Sequence, residues 1–220
     1  MTDAARIAVF SDFNGTITDR DMLAALLESY GHDALLARVT EERRRGLLSL
    51  RERIAREAGA LKCSLAEADA RLTTLVTIDP SFLSFHRQCV EKGIVLAIVS
   101  SGIEPLIERM LERHGVTLPI HANGVEPRSD GWRVQFRDAT PEGNAKWLYV
   151  EEAARDGYRT VVIGDDESDY TMGLVGDIRF AKRGTPLERF LSDRRLPFSS
   201  FDTFDDVWER LAQERALARS

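Results

Sequence analysis

Residues 7–18 read IAVFSDFNGTIT and combine an apolar run with a polar, glycine-containing turn. The stretch begins with apolar residues that predict a short buried strand, and Asp12 lies at the carboxyl end of that strand. A carboxylate in this position, followed by a Gly-Thr turn, can attack phosphorus and form an acyl phosphate, which divides one difficult displacement into two easier ones. Asp, Asn, Gly and Thr are also common turn residues, so a strand ending in an ordinary Asx turn is the alternative interpretation.

A second apolar stretch, residues 94–102, reads IVLAIVSSG and predicts another buried strand, which ends in hydroxyl groups and glycine. Pro105 then lies in the first turn of a predicted helix, a position that suits proline. Hydroxyls and N–H groups at a helix N-terminus can hold a phosphoryl group while charge moves over its oxygens. Ser100, Ser101 and Gly102 are therefore candidate phosphate-binding residues. The alternative is an ordinary strand–loop–helix connection with a serine cap.

Two further signals follow along the chain. Residues 143–147, GNAKW, open an amphipathic helix that contains Lys146, although a lone helical lysine is usually solvated. Residues 160–169, TVVIGDDESD, are a β-branched strand that runs directly into an acidic cluster. Such a cluster is costly without a cation. Carboxylate oxygens at two strand ends, together with a main-chain carbonyl and waters, make an octahedral Mg²⁺ site that also bridges a substrate phosphate.

These motifs, in this order, resemble those of the haloacid dehalogenase-like phosphohydrolases, and the resemblance extends from residue 7 to about residue 180. It implies a magnesium-dependent phosphomonoesterase with Asp12 as the nucleophile. It further implies that Ser100 and Lys146 hold the phosphoryl group. The implied metal ligands are Asp12, the main-chain carbonyl of Asn14, Asp165 and Asp169. Asp166 and Glu167 fall at variable positions of the fourth motif and are interpreted as solvated loop acids.

Asn14 departs from the family pattern, whose usual form is Asp-x-Asp-Gly-Thr. The second aspartate of that form serves as general acid and base, and an asparagine amide can do neither. We therefore expect ligand binding to outlast turnover. The asparagine is either native or an introduced Asp→Asn exchange that traps substrate, and both origins stay open. A non-catalytic, phosphate-binding sensor is the competing hypothesis, and dehalogenase or phosphonatase chemistry is a third.

The resemblance also implies an α/β fold: a Rossmann-like parallel-sheet core with a small α-helical cap inserted after the first strand. The core comprises residues 1–18 and 81–220, and the cap residues 19–80, with hinges near Arg20 and residues 77–80. Residues 64–67, SLAE, are a capping-box signature that begins one cap helix. After the cap we expect the order strand, helix, strand, hairpin, helix, strand, helix, short strand, helix, with the site at the carboxyl edge of the sheet.

The region around Asp21 bears on the substrate. Phosphoserine phosphatases carry a glutamate there that helps to bind the substrate amine, so Asp21 argues against phosphoserine, which remains the alternative substrate. The string Asp-Phe-Asn-Gly-Thr-Ile-Thr and the hairpin-like residues 121–136 are more similar to the 2-hydroxy-3-keto-5-methylthiopentenyl-1-phosphate phosphatases of methionine salvage. Whether Asp21 contacts substrate or only caps a helix is open.

A group of arginines in the predicted cap adds local positive charge. Its members are Arg43, Arg44, Arg45, Arg51, Arg53 and Arg56. Arg45, beside a glycine, is expected to reach a substrate oxygen, because a guanidinium fork recognises planar anions. The alternative is a solvated face balanced by Glu41, Glu42, Glu52 and Glu57.

Composition agrees with a globular enzyme: 220 residues, 43% hydrophobic, 30% charged, with a net charge of −6. The acidic balance argues against general nucleic-acid binding. No run reaches the roughly 20 apolar residues of a membrane span, and residues 1–6 contain no secretory apolar region, so a cytoplasmic location is expected. The expected partners are a small phosphorylated metabolite and Mg²⁺, with neither nucleic acid nor membrane, in a monomer or homodimer.

Overall fold

A computed structural model describes residues 6–217 of the chain. Its centre is a seven-stranded sheet in the order β4-β3-β2-β1-β5-β6-β7. The strands are β1 (Ile7–Ser11), β2 (Val95–Ile103), β3 (Ile120–Glu126), β4 (Arg133–Gln135), β5 (Arg159–Gly164), β6 (Ile178–Lys182) and β7 (Ser199–Phe201). All neighbouring strands pair in parallel except β3 and β4, which form an antiparallel hairpin. The predicted α/β class with a mostly parallel sheet is confirmed.

Helices connect the strands and cover the sheet. They are α1 (Met22–Ser29), α2 (Asp33–Arg44), α3 (Leu50–Ala60), α4 (Leu65–Leu75), α5 (Pro80–Glu91), α6 (Glu104–Arg113), α7 (Lys146–Arg155), α8 (Tyr170–Val175), α9 (Pro186–Asp193) and α10 (Phe204–Leu217). A 3₁₀ turn, Glu167–Asp169, precedes α8. No helix within the described residues is long and apolar enough to cross a membrane. Residues 1–5, on which the expected lack of a secretory segment largely depends, lie outside them.

Strand β1 occupies the middle of the sheet, and all of its residues are buried. It pairs with β2 on one side and β5 on the other, and Ser11 lies opposite both Ile98 and Ile163. The carboxyl ends of parallel strands meet at one edge of a sheet. The motif residues that follow β1 and β5, and those at the end of β2, are thereby brought together.

Helices α1–α4, residues 22–75, form a separate group that we call the four-helix segment. Two capping boxes begin its helices α3 and α4, at Ser49 with Glu52 and at Ser64 with Glu67; the second is the one predicted from sequence. The connections before and after the segment pair with each other: Asp19 N donates to Thr77 O at 3.0 Å. The division of the chain into a core and a cap of residues 19–80, with hinges near Arg20 and residues 77–80, stays a prediction.

The β3–β4 hairpin holds the four-helix segment at a second place. Trp132 is 1% exposed, and its indole Nε1 donates to the Cys63 carbonyl at 2.7 Å. Its main-chain N–H points at the carbonyls that end α3, 3.1 Å from Leu61 O. Gly131 has φ +125°, and a Cβ there would lie 2.0 Å from the Gly59 carbonyl oxygen, so this contact requires glycine.

The order of elements after the four-helix segment differs from the expectation in three ways. Helix α5 precedes β2, whereas the expected order began with a strand. No separate strand precedes the hairpin, because β3 both pairs with β2 and forms the first arm of the hairpin. Helix α9 and strand β7 were not predicted. β7 is three residues long, and its hydrophobic pattern is too short to detect without its partner β6.

The Trp132 contact gives a stability prediction. Trp132→Ala removes a fully packed indole and its hydrogen bond, so we expect the free energy of unfolding to fall by about 3–5 kcal/mol in urea denaturation. Val90→Ala, at a position 67% exposed, is the control and is expected to change it by less than about 0.5 kcal/mol. Equal effects of the two substitutions would show that the hairpin contact contributes nothing.

Candidate active site

The centre of the candidate site is a buried lysine between two carboxylates. Lys146, the first residue of α7, is 1% exposed. Its Nζ donates to Asp169 Oδ1 at 2.7 Å and lies 3.0 Å from Asp12 Oδ1. Burial by itself lowers the pKa of Lys146, but the Asp12 and Asp169 carboxylates outweigh it and raise this pKa above its ordinary value. The ammonium therefore stays charged.

A third acid makes the carboxyl groups of the cluster outnumber its one ammonium group. Oxygens of Asp12, Asp165 and Asp169 all lie within 4.8 Å of one another. Burial, reinforced by the charges of Asp12 and Asp169, raises the pKa of Asp165 to about 9. Asp12 Oδ1 is buried and accepts no hydrogen bond, although Lys146 Nζ is close. Crowded acids and an unsatisfied carboxylate oxygen fit a divalent cation that prefers oxygen ligands.

Asp165 and Asp169 differ in how their oxygens are used. Asp169 accepts Lys146 on Oδ1, and on Oδ2 it accepts the main-chain N–H groups of Asp165 at 2.9 Å and Asp166 at 3.2 Å. Asp165 Oδ1 accepts from Thr16 Oγ1 at 2.5 Å, while Oδ2 has no hydrogen-bond donor within residues 6–217. Asp165 therefore has an oxygen available for an ion, whereas Asp169 holds the loop and the lysine in place.

The end of β2 supplies the opposite wall. Ser100 is 1% exposed, and its hydroxyl oxygen accepts from Gly102 N at 3.1 Å. Ser101 Oγ is buried without a hydrogen-bond partner, so it can donate to a ligand. Asn144, which the sequence reasoning passed over, donates through Nδ2 to the carbonyls of Ser100 and His121, both at 2.8 Å. It joins β2 to β3 just before Lys146, and its position inside the GNAKW motif is the signal that could have identified it.

Asn14 lies between this wall and the four-helix segment. Its Oδ1 is 3.3 Å from the main-chain nitrogen of Met22, at the start of α1. On the other side, a Cβ on Gly102 would lie 2.7 Å from Asn14 Nδ2, so the absence of a side chain at Gly102 makes room for the amide. The side chain at position 14 is thus placed where the site meets α1.

A cavity of about 160 Å³ connects these groups with the four-helix segment. The predicted site residues that line it are Asp12, Asn14, Asp21, Ser100, Ser101, Gly102 and Asp165. Its remaining lining is Gly15, Leu23, Leu50, Arg53, Ile54, Glu57, Asp166 and Ser168. Lys146 and Asp169 do not line it, but both support Asp12 or its neighbours from within the core.

The structure does not bring Arg45 to this cavity. Arg45 is exposed at the C-terminal end of α2, and Arg53 lines the cavity instead. Glu57, interpreted from sequence as a solvated partner of the arginines, is 1% exposed. The missed signal is the spacing of residues 50, 53, 54 and 57, which places them on one face of α3.

Asp166 and Glu167, the two loop acids expected to be solvated, have different environments. Asp166 lines the cavity, and its Oδ1 accepts from Ser168 N at 2.7 Å at the start of the 3₁₀ turn. Glu167 is exposed and forms an ion pair with Arg43 of α2 at 3.4 Å. The interpretation holds for Glu167 alone. Asp21 N-caps α1, with Oδ1 accepting from Ala24 N at 2.7 Å, and it also lines the cavity, so it is in place for both of the roles left open.

Comparison with known proteins identifies the family. The model of the haloacid dehalogenase-like hydrolases matches residues 9–173, and the chain belongs to that family. A Schizosaccharomyces pombe protein called Pdp3-interacting factor 1 is 30% identical, with 96% of this chain and 97% of that protein covered. The polyol phosphate phosphatase PYP1 of Saccharomyces cerevisiae is 27% identical over 94% of this chain and 93% of its own.

A bacterial relative and a solved structure complete the comparison. The 2-hydroxy-3-keto-5-methylthiopentenyl-1-phosphate phosphatase of Brevibacillus brevis is 28% identical, with 94% of this chain and 96% of that protein covered. The structure of a substrate-bound phosphoserine phosphatase superposes with a TM-score of 0.74 at 15% identity, covering 94% of this chain and 99% of that one. This last similarity shows the shared fold.

Glu57 gives a prediction for pH. Its pKa is raised to about 6 from an ordinary 4.5, because burial outweighs the attraction of Arg53. The folded chain holds this proton more tightly than the unfolded chain, so its stabilising effect is complete below pH 4.5 and is lost as pH rises through 6. Between pH 4 and pH 7 the free energy of unfolding should fall by about 2 kcal/mol relative to Glu57→Gln, as measured in urea. If the free energies of unfolding of the unsubstituted chain and of Glu57→Gln changed in parallel with pH, this prediction would be wrong.

Proposed function

We propose that this chain is a magnesium-dependent phosphomonoester hydrolase that forms an aspartyl phosphate on Asp12 and acts on a small phosphorylated metabolite. The observation that supports it most is the position of Asp12. Its carboxylate lines the cavity, forms an ion pair with a buried lysine at 3.0 Å, and is one of three clustered acids. A nucleophile held beside a cation and at the edge of a cavity is the arrangement that phosphoryl transfer requires.

Each residue then has a role in the proposed reaction. Asp12 attacks phosphorus, and the leaving alcohol departs from the opposite side of the phosphoryl group. Lys146 compensates the charge of Asp12 before attack, and Ser100 with Ser101 and the nearby main-chain N–H groups holds the phosphoryl oxygens. Asp12 and Asp165, with the main-chain carbonyl of Asn14, would hold Mg²⁺, which when bound neutralises charge on the phosphoryl oxygens. Asp169, which the sequence predicts as a further metal ligand, is proposed instead as a positioning residue, because both of its oxygens accept hydrogen bonds.

Asn14 limits the proposed reaction at two steps. The leaving oxygen needs a proton, and the water that hydrolyses the acyl phosphate must lose one. The Asn14 amide can donate a hydrogen bond but cannot transfer a proton in either step. An aryl phosphate, whose leaving group is stable without a proton, should therefore be affected less than an alkyl phosphate.

For the substrate we propose 2-hydroxy-3-keto-5-methylthiopentenyl-1-phosphate first. The string around Asp12 and the bacterial relative that carries this activity in its name support it. A polyol phosphate is the second candidate. It is supported by the yeast relative's name and by the polar side chains of Asp21, Arg53 and Glu57 at the helical end of the cavity. Phosphoserine is disfavoured because Asp21 replaces the expected glutamate.

We propose that the four-helix segment is the cap of this enzyme. It contributes Arg53 and Glu57 to the cavity, and Asp21, which also lines the cavity, directly precedes it, so substrate is enclosed between the segment and the sheet. The Arg43–Glu167 ion pair joins α2 to the loop after β5, and Trp132 fastens the end of α3. If the cap opens at the predicted hinges, these contacts must either break or move with it. The cytoplasmic location, and the monomer or homodimer, stay predictions from sequence.

The competing function, a sensor that binds a phosphorylated metabolite without turnover, uses the same pocket. The sensor differs from the enzyme in the role of Asn14. In a sensor Asn14 would be the functional residue, whereas in an enzyme it reduces turnover. The retained Asp12, Lys146 and Asp165 support the enzyme, because binding alone does not require a nucleophile beside a lysine.

Restoring the carboxyl group tests the enzyme directly. Asn14→Asp supplies the missing general acid and base, so we expect phosphate release from a sugar phosphate to rise by about 10²–10⁴-fold, with a smaller rise for an aryl phosphate. Adding Asp12→Asn to the same chain should abolish the reaction. Ligand binding without turnover in the Asn14→Asp chain would replace the enzyme with the sensor.

Magnesium binding is tested without an activity assay. At about 100 times its dissociation constant, Mg²⁺ should raise the free energy of unfolding by about 2.7 kcal/mol, and removing it with EDTA should reverse the effect. Asp165→Asn removes the carboxylate with an available oxygen and should eliminate most of this gain in urea denaturation. An unchanged gain in Asp165→Asn would exclude Asp165 as a ligand.

A further inference from the structure

The helical end of the cavity combines ionisable side chains of both signs. Such a mixture is unusual for a site that binds an anionic group in addition to the phosphate. The side chains at this end are Asp21, Leu23, Leu50, Arg53, Ile54 and Glu57. Three are apolar and can cover carbon atoms of a ligand. Of the ionisable three, one is a cation and two are acids, so the subsite offers no excess of positive charge.

Arg53 and Glu57 form a direct ion pair inside this subsite. Arg53 Nε donates to Glu57 Oε1 at 2.7 Å, and the two side chains are 22% and 2% exposed. They are one helical turn apart on α3, so the helix itself holds them together. Because the pair is largely removed from water, Glu57 compensates the charge of Arg53 more effectively than a surface partner could.

The Arg53–Glu57 ion pair has little net charge, but it still offers hydrogen-bond donors and acceptors to a ligand. The two terminal nitrogens of Arg53 donate to no residue in the described part of the chain, so they can donate to a ligand. The carboxylates of Asp21 and Glu57 are acceptors. A hydroxyl group both donates and accepts, and it matches such a mixture, whereas a carboxylate only accepts and would face two acids.

We propose that Glu57 is a specificity-determining residue: by compensating Arg53 it selects phosphate monoesters whose organic part is uncharged and hydroxylated, and it rejects those that carry a carboxylate. This inference rests on the proposed phosphatase function and narrows its substrate class. Both substrate candidates named above have an uncharged organic part.

Glycerol 3-phosphate and 3-phosphoglycerate form a matched pair for the test. They share the phosphate, the three-carbon chain and the central hydroxyl, and differ in a terminal alcohol against a terminal carboxylate. In the Asn14→Asp chain with Mg²⁺, kcat/KM should favour glycerol 3-phosphate by about tenfold or more. Glu57→Gln should reduce this ratio by about tenfold or more through better use of 3-phosphoglycerate. Adding Arg53→Gln to Glu57→Gln should cancel that gain, because the released cation is then gone.

The control is Glu42→Gln, which also removes a glutamate from an arginine pair, with Arg56 at 2.6 Å, but outside the cavity. It should leave the ratio unchanged. A ratio unaffected by Glu57→Gln overturns the inference. The inference is also overturned if the Asn14→Asp chain uses the two substrates equally or prefers phosphoethanolamine. These two results do not depend on whether Glu57→Gln folds. If no substrate, including an aryl phosphate, is hydrolysed, the proposed function itself fails.

Discussion

The burial of the Lys146 ammonium is the constraint on which the rest of this site depends. An ammonium that is 1% exposed is tolerated only when carboxylates lie against it, and Asp12 and Asp169 provide them at 3.0 and 2.7 Å. These two acids belong to separate parts of the chain. They meet because β1 and β5 are neighbours in register, with Ser11 opposite Ile163, and because α7 begins at Lys146. The sheet, the start of α7 and the loop after β5 must therefore form together.

The cavity built on this cluster has two ends with different electrostatics. At the sheet end, three acids outnumber one lysine, and the excess fits a divalent cation that would also attract a phosphoryl dianion. At the helical end, the Arg53–Glu57 pair is compensated internally. A ligand with one charged end and one uncharged end matches both. Asn14 lies between the two ends, and its amide cannot transfer a proton. Under the proposed function, binding and turnover are therefore separated at this one residue.

Local patterns along the sequence predicted the parts of the structure that depend on neighbouring residues. The apolar runs before Asp12 and Asp165 are strands, Pro105 lies in the first turn of α6, and Ser64 with Glu67 forms a capping box. Each of these signals is local, because periodicity, capping and turn chemistry act over a few residues. The motif order then identified the edge of the sheet at which Asp12, Ser100 and Asp165 meet.

Contacts between distant segments could not be predicted in this way. From sequence, Arg45 is favoured over Arg53 because it lies beside a glycine, and Glu57 is one of several acids. Only the packing of α3 against the site turns Arg53 and Glu57 inward and leaves Arg45 exposed. The same holds for Trp132 on the end of α3 and for Asn144 between β2 and β3. The fold class, the order of the motifs and the chemistry available to their side chains could be predicted from local patterns and motif order. Which side chains enclose the cavity, and which charges remain uncompensated there, depends on the packing of the folded chain, because burial and pairing arise between residues far apart in the sequence.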